Sequence, residues 1–82
     1  MNKKSDEELL QERELIINLF EKYQDLLPRS QKQALYLHLF EDLSFSEIGS
    51  ELAMTRSGAF DAVKKGKLKL QNIAKKINDE NI

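Results

Sequence analysis

Apolar residues recur along this chain every three or four positions, and nowhere do they alternate with polar ones in the two-residue rhythm of a strand. In the leading segment Leu9, Ile16, Leu19, Tyr23 and Leu26 share one side of a helix drawn from Asp6 to Leu26, and Phe20 and Leu27 widen that stripe. Asp6, Glu7 and Glu8 suit a helix N-terminus, where carboxylates meet the positive end of the macrodipole. Ser5 and Glu8 have the spacing of a capping box. Pro28 ends this helix and is suited to be the first residue of the next, since its missing N–H costs nothing there. The second helix is expected from Arg29 to Glu41, with Ala34, Leu35, Leu37, Leu39 and Phe40 as its apolar positions. A connection this short makes the first two helices packing neighbours.

Ser44-x-x-Glu47 is another capping box and predicts a short third helix from Phe45 to Leu52. Thr55 is the candidate N-cap of a fourth helix, which runs to about Asn78 and buries Ala59, Val63, Leu70, Ile73 and Ile77. Residues 43–63 thus have the layout of a helix-turn-helix, two helices joined by a tight turn. Ile48 and Leu52 are expected against Ala59 and Val63, with Met54 plugging the turn. In such a motif the second helix lies in the major groove with its first residues facing base edges. The expectation is an all-α small helical bundle in a single domain, 1–82. A long amphipathic leading helix covers 5–26, a helix-turn-helix with an extended recognition helix covers 27–78, and a tail at 79–82 frays.

Charge sharpens this picture. The net charge is −1, yet residues 1–54 hold 6 Lys/Arg against 11 Asp/Glu, and residues 55–82 hold 7 against 3. Between Thr55 and Lys76 the only acid is Asp61. A segregated basic helix is the footprint of phosphate contact; a solvated C-terminal helix, where Lys suits the macrodipole, has the same composition. With no cysteine, disulfides and thiolate metal sites are excluded. No apolar run approaches a membrane span, and the N-terminal segment has no signal-peptide core, so the cytoplasm is the expected compartment. His38 stands alone, without the His or Cys partners a metal needs. No carboxylate pair, nucleophile–base set or Gly-rich phosphate loop is present, so neither enzyme activity nor a cofactor is expected.

Leu27-Pro28-x-x-Gln31-Lys32-x-x-Leu35-x-Leu37-x-x-Phe40-Glu41-x-Leu43-Ser44-Phe45-x-Glu47-Ile48 resembles region four of bacterial sigma factors. Glu41-Asp42-Leu43-Ser44-Phe45-Ser46-Glu47-Ile48, followed by Thr55-Arg56-x-x-Ala59-Phe60-Asp61-x-Val63-Lys64-Lys65, resembles more narrowly the YlxM-like family of small sigma-region-four-like proteins. The resemblance covers about residues 15–70 and is most specific over 40–65. It implies a DNA-binding regulator. It also implies a link to the signal recognition particle pathway, because genes of that family lie beside those for the particle and its receptor. Two features depart from the pattern. Ala53 occupies the usual turn glycine, at a cost of roughly 1–2 kcal/mol if its backbone is left-handed. Gly49, Gly58 and Gly66 all fall inside predicted helices, each costing about 1 kcal/mol relative to Ala. Such a domain is expected to be marginal and to lean on a partner or on self-association.

The candidate nucleic-acid-binding residues are Thr55, Arg56 and Ser57 at the start of the recognition helix, and Lys64, Lys65, Lys67 and Lys69 along it. Arg29 and Lys32 on the preceding helix are candidates for further backbone contacts. Arg56 has the chemistry for a specific base contact; the lysines give affinity without sequence information. Asp61 opposes this unless it pairs with Lys64 or Lys65 at helical spacing, and no Asn or Gln lies near the helix start to read adenine. Phe60 is expected at the core edge, with base stacking or a partner contact as the alternatives. Two functions stay open. One is a nucleic-acid-binding regulator acting on DNA or RNA. The other is a protein-interaction module that keeps the fold without sequence-specific DNA binding, with signal recognition particle or transcription components as partners. The long first stripe, with Leu68 or Ile77, also suits pairing with a second copy, a homodimer through the first and last helices.

Overall fold

A computed structural model describes the backbone over residues 6–80 and the side chains through Ile77. The described residues form four α-helices and no strand: α1 (Asp6–Tyr23), α2 (Arg29–Phe40), α3 (Phe45–Leu52) and α4 (Arg56–Glu80). The Ser5 cap and the end of the tail, residues 81 and 82, lie outside the described residues. α4 runs two residues beyond the predicted Asn78.

The core is one cluster in which α4 packs against each of the other three helices. Phe20, Leu35, Ile48 and Leu70, one from each helix, are its largest fully buried side chains. Burying four such groups at roughly 1.5–3 kcal/mol each supplies much of the driving force for a chain this short. The predicted stripes hold at Ile16, Leu19, Phe20, Leu27, Ala34, Leu35, Leu39, Ile48, Ala59, Val63 and Leu70, all buried.

Three stripe residues fall elsewhere. Leu26, expected to face the core, is exposed. The chain tightens at Gln24–Leu26 into a 3-10 turn closed by the Leu27 N–H on the Gln24 carbonyl (3.0 Å). Three residues per turn instead of 3.6 shift the phase, so that Leu27 turns inward and Leu26 outward. Leu9 is exposed at the rim of a cavity that it lines with His38, Leu39 and Gln71, and Phe40, the last residue of α2, keeps one side in solvent. Phe40 instead packs against Tyr36 and Phe20, with ring centroids 5.2 and 5.7 Å away. Pro28 is the N-cap of α2 rather than its first helical residue: its ψ of 150° is extended, while its carbonyl accepts from the Lys32 N–H (2.9 Å).

Candidate nucleic-acid interface

The site begins with the two helix starts that fix the motif. Ser44 Oγ accepts from the Glu47 N–H (3.1 Å) and Glu47 Oε1 accepts from the Ser44 N–H (2.9 Å), completing the capping box at α3. Donation from the Ser44 N–H, and then from its hydroxyl, stabilises the ionised carboxylate and holds the Glu47 pKa below its ordinary value. Thr55 caps α4 in the same way: its Oγ1 accepts from the Gly58 N–H and its carbonyl from the Ala59 N–H, both at 2.9 Å.

Between the two caps the chain turns through Ala53, which is left-handed at φ 56° and ψ 44°. The Met54 N–H then donates to the Gly49 carbonyl (2.8 Å), a Schellman closure. The turn folds back so tightly that a Cβ on Gly49 would lie 2.7 Å from the Met54 carbonyl oxygen. Gly49 is therefore required by close approach of the backbone, not merely tolerated in the helix. Gly66 serves the α2–α4 crossing, where an added Cβ would meet Leu35 Cδ2 at 3.3 Å.

This framework leaves Thr55, Arg56 and Ser57 exposed at the first turn of α4. The lysines divide between two grooves on either side of Leu68. Lys64 and Lys67 line one with Phe45, Phe60 and Val63; Lys65 and Lys69 line the other with Asn72, Ile73, Lys75 and Lys76. Asp61 is paired with Lys65 (2.9 Å, four residues on), which removes the lone acid's repulsion at the expense of one free cation. Lys67 does not stand out in solvent like the others. It is half-buried and faces Arg13 and His38; burial, then the Arg13 charge, lower its pKa, while Glu12 opposes them. Lys32 is tied to Asp25 (2.8 Å) and lies against Gln24, Tyr36 and Glu51, apart from the α4 grooves. Arg29 is exposed at the start of α2.

Phe60 is 49% exposed and meets the Phe45 ring edge-on at 5.2 Å, with one face left in the groove. Phe45 in turn stacks on His38 (5.4 Å, 16° between planes). Burial, then Lys67 and Arg13, lower the His38 pKa; the Leu43 backbone and Asp42 oppose them. Nothing in the local pattern singles out Arg13, whose Nη2 donates to the Leu39 carbonyl (2.7 Å). That bond satisfies one of the orphan carbonyls at the end of α2 from a different helix, and an arginine in an acidic helix carries no local mark of such a partner.

Residues 10–79 match the model of the family described as "Putative helix-turn-helix protein, YlxM / p13 like". Among curated proteins the chain is similar to a UPF0122 protein of Mycoplasma capricolum, 37% identical over 60 residues, covering 73% of this chain and 53% of that one. A probable UPF0122 protein of Mycoplasma mycoides is 40% identical over 47 residues, covering 57% and 42% respectively. A UPF0122 protein of Bacillus cereus strain AH187 is 32% identical over 59 residues, covering 72% and 54%. The chain spans about half the length of the curated relatives it matches. No solved structure gives a significant match.

Proposed function

The chain belongs to the YlxM/p13-like family of helix-turn-helix proteins, and from that premise we infer that it is a nucleic-acid-binding regulatory protein that uses α4 as its recognition helix. The observation that carries this reading is the exposed start of α4 at Thr55, Arg56 and Ser57, held by two capped helices around a closed turn and followed by a nearly acid-free basic helix. In this reading Arg56 and Ser57 meet base edges, and Lys64 and Lys69, on opposite flanks of α4, meet phosphate. Arg29 adds a cation at the start of α2, and Lys65 contributes once it is released from Asp61. Lys67 and Lys32 contribute least, since one faces inward and the other is paired with Asp25.

Binding of mixed-sequence duplex DNA and structured RNA, titrated against salt, tests this. Engagement of three or four of these cations predicts a log–log salt slope of about −3. Arg56→Ala is expected to reduce discrimination between sequences, and Lys64→Ala to lower affinity evenly across them. Absence of binding to either polymer at low salt would remove the reading.

A second reading, a protein-interaction module, is favoured by the half-exposed aromatic pair Tyr36 and Phe40 on α2. Signal recognition particle and transcription components are the partners it would bring into question. The two readings separate on charge reversal at Lys64 and Lys65: cellular function that survives it does not run through nucleic acid at α4.

A further inference from the structure

We propose that the chain self-associates, with the acidic outer face of α1 in one copy docked along the basic, partly apolar outer face of α4 in another. The α4 half is the groove of about 270 Å³ beside Phe45, bordered by Phe60, Lys64, Lys67 and Leu68. Phe60 and Leu68 are about half exposed there, Phe60 with its other side against Phe45. Positions 60, 64, 68, 71 and 75 recur every three or four residues, so Phe60, Lys64, Leu68, Gln71 and Lys75 form one line along the helix.

On α1 the same spacing places Asp6, Leu10, Glu14, Ile17 and Glu21 on one line. Leu10, at 61%, is the most exposed large apolar side chain among the described residues. Each face thus alternates apolar and polar positions, negative on α1, where Leu10 stands exposed while Ile17 is partly buried against its own core, and positive on α4. The sign of the charge selects the occupant. Pairing α4 with α4 sets lysine against lysine, and α1 with α1 sets carboxylate against carboxylate; only the crossed pairing is attractive on both sides. Each copy carries both faces, and a dimer closed about a two-fold axis makes the crossed contact twice. The pairing goes beyond nucleic-acid binding and competes with it, because Lys64 against a carboxylate is withheld from phosphate.

Sedimentation equilibrium of the full chain without nucleic acid, at low and high salt, tests the pairing. The expected result is a dimer at low salt whose dissociation constant rises at least ~10-fold at high salt as the ion pairs are screened. Glu14→Lys with Glu21→Lys is expected to be monomeric, and so is Lys64→Glu with Lys75→Glu; all four side chains are exposed, so circular dichroism should show an intact fold. Mixing the two variants is expected to restore association, now between unlike chains. A monomeric wild type, charge-reversed variants that still dimerise, or a mixture that stays monomeric each overturns the proposal. A monomer that binds nucleic acid sinks the pairing alone, and a dimer that binds none sinks the nucleic-acid reading alone.

Discussion

Ala53 sits at φ 56°, where an L side chain crowds its own backbone, and Gly49, four residues earlier, sits where a side chain would strike the Met54 carbonyl. Methyl groups therefore act oppositely at these two positions. Ala53→Gly relieves roughly 1–2 kcal/mol of left-handed strain and gives back part of it as chain entropy, so a net gain of about 1 kcal/mol is expected. Gly49→Ala improves helix propensity by about 1 kcal/mol but forces the turn outward, a larger cost for overpacking that leaves the variant less stable. Urea midpoints of the two variants check this, and a stabilised Gly49→Ala would show that the turn yields more easily than its geometry implies. Asp42 is also left-handed (φ 55°) at the α2–α3 link, where Asp is better tolerated than Ala, so Ala53 is the position to improve.

At the scale of elements, the helices were legible wherever a local signal fixes them. Ser44-x-x-Glu47 and Thr55 mark the starts of α3 and α4, and both caps are made. Apolar spacing identified the central core positions because helical period and burial coincide there. It failed at Leu26, where a 3-10 turn changes the period, and at Leu9, which borders an open cavity between α1, α2 and α4 instead of close-packed core. The division of the lysines between two flanks follows from helix phase, but the inward turn of Lys67 depends on α1 and α2, which no local pattern specifies. Arg13 belongs to the same class, since its partner carbonyl lies 26 residues away. Arg13→Met keeps most of the apolar stem and leaves the Leu39 carbonyl without its donor. A loss of about 1–3 kcal/mol in chemical denaturation is expected; unchanged stability would mean that water replaces the guanidinium without cost.

For the molecule as a whole, the charges converge where α1, α2 and α4 meet. His38 there is half-buried and faces Lys67 and Arg13; burial first, then these cations, against the Leu43 backbone and Asp42, hold its folded pKa below the ordinary 6.5. The unfolded chain therefore takes up a proton before the folded one does as pH falls. Stability contributed by the neutral ring is fully present above about pH 6.5 and declines below it until the folded group also protonates. Glu47 adds to the decline at lower pH: its folded pKa is depressed, so its contribution is present above the unfolded value and is lost as the carboxylate protonates. Stability measured against pH is expected to fall in two stages, and His38→Gln should remove the first while leaving the second. A single-stage profile in the unaltered chain would contradict the burial of His38 beside these cations.

The column His38–Phe45–Phe60 joins α2, α3 and α4 ring to ring, and the chain has one histidine. Its carbon-bound imidazole protons therefore give a single, unambiguous pair of proton resonances, displaced by the ring current of Phe45. Whatever enters the groove against Phe60 must lean on Phe45 and so alter that displacement. The molecule carries its own spectroscopic reporter of occupancy, readable without a label and without knowing in advance what the occupant is.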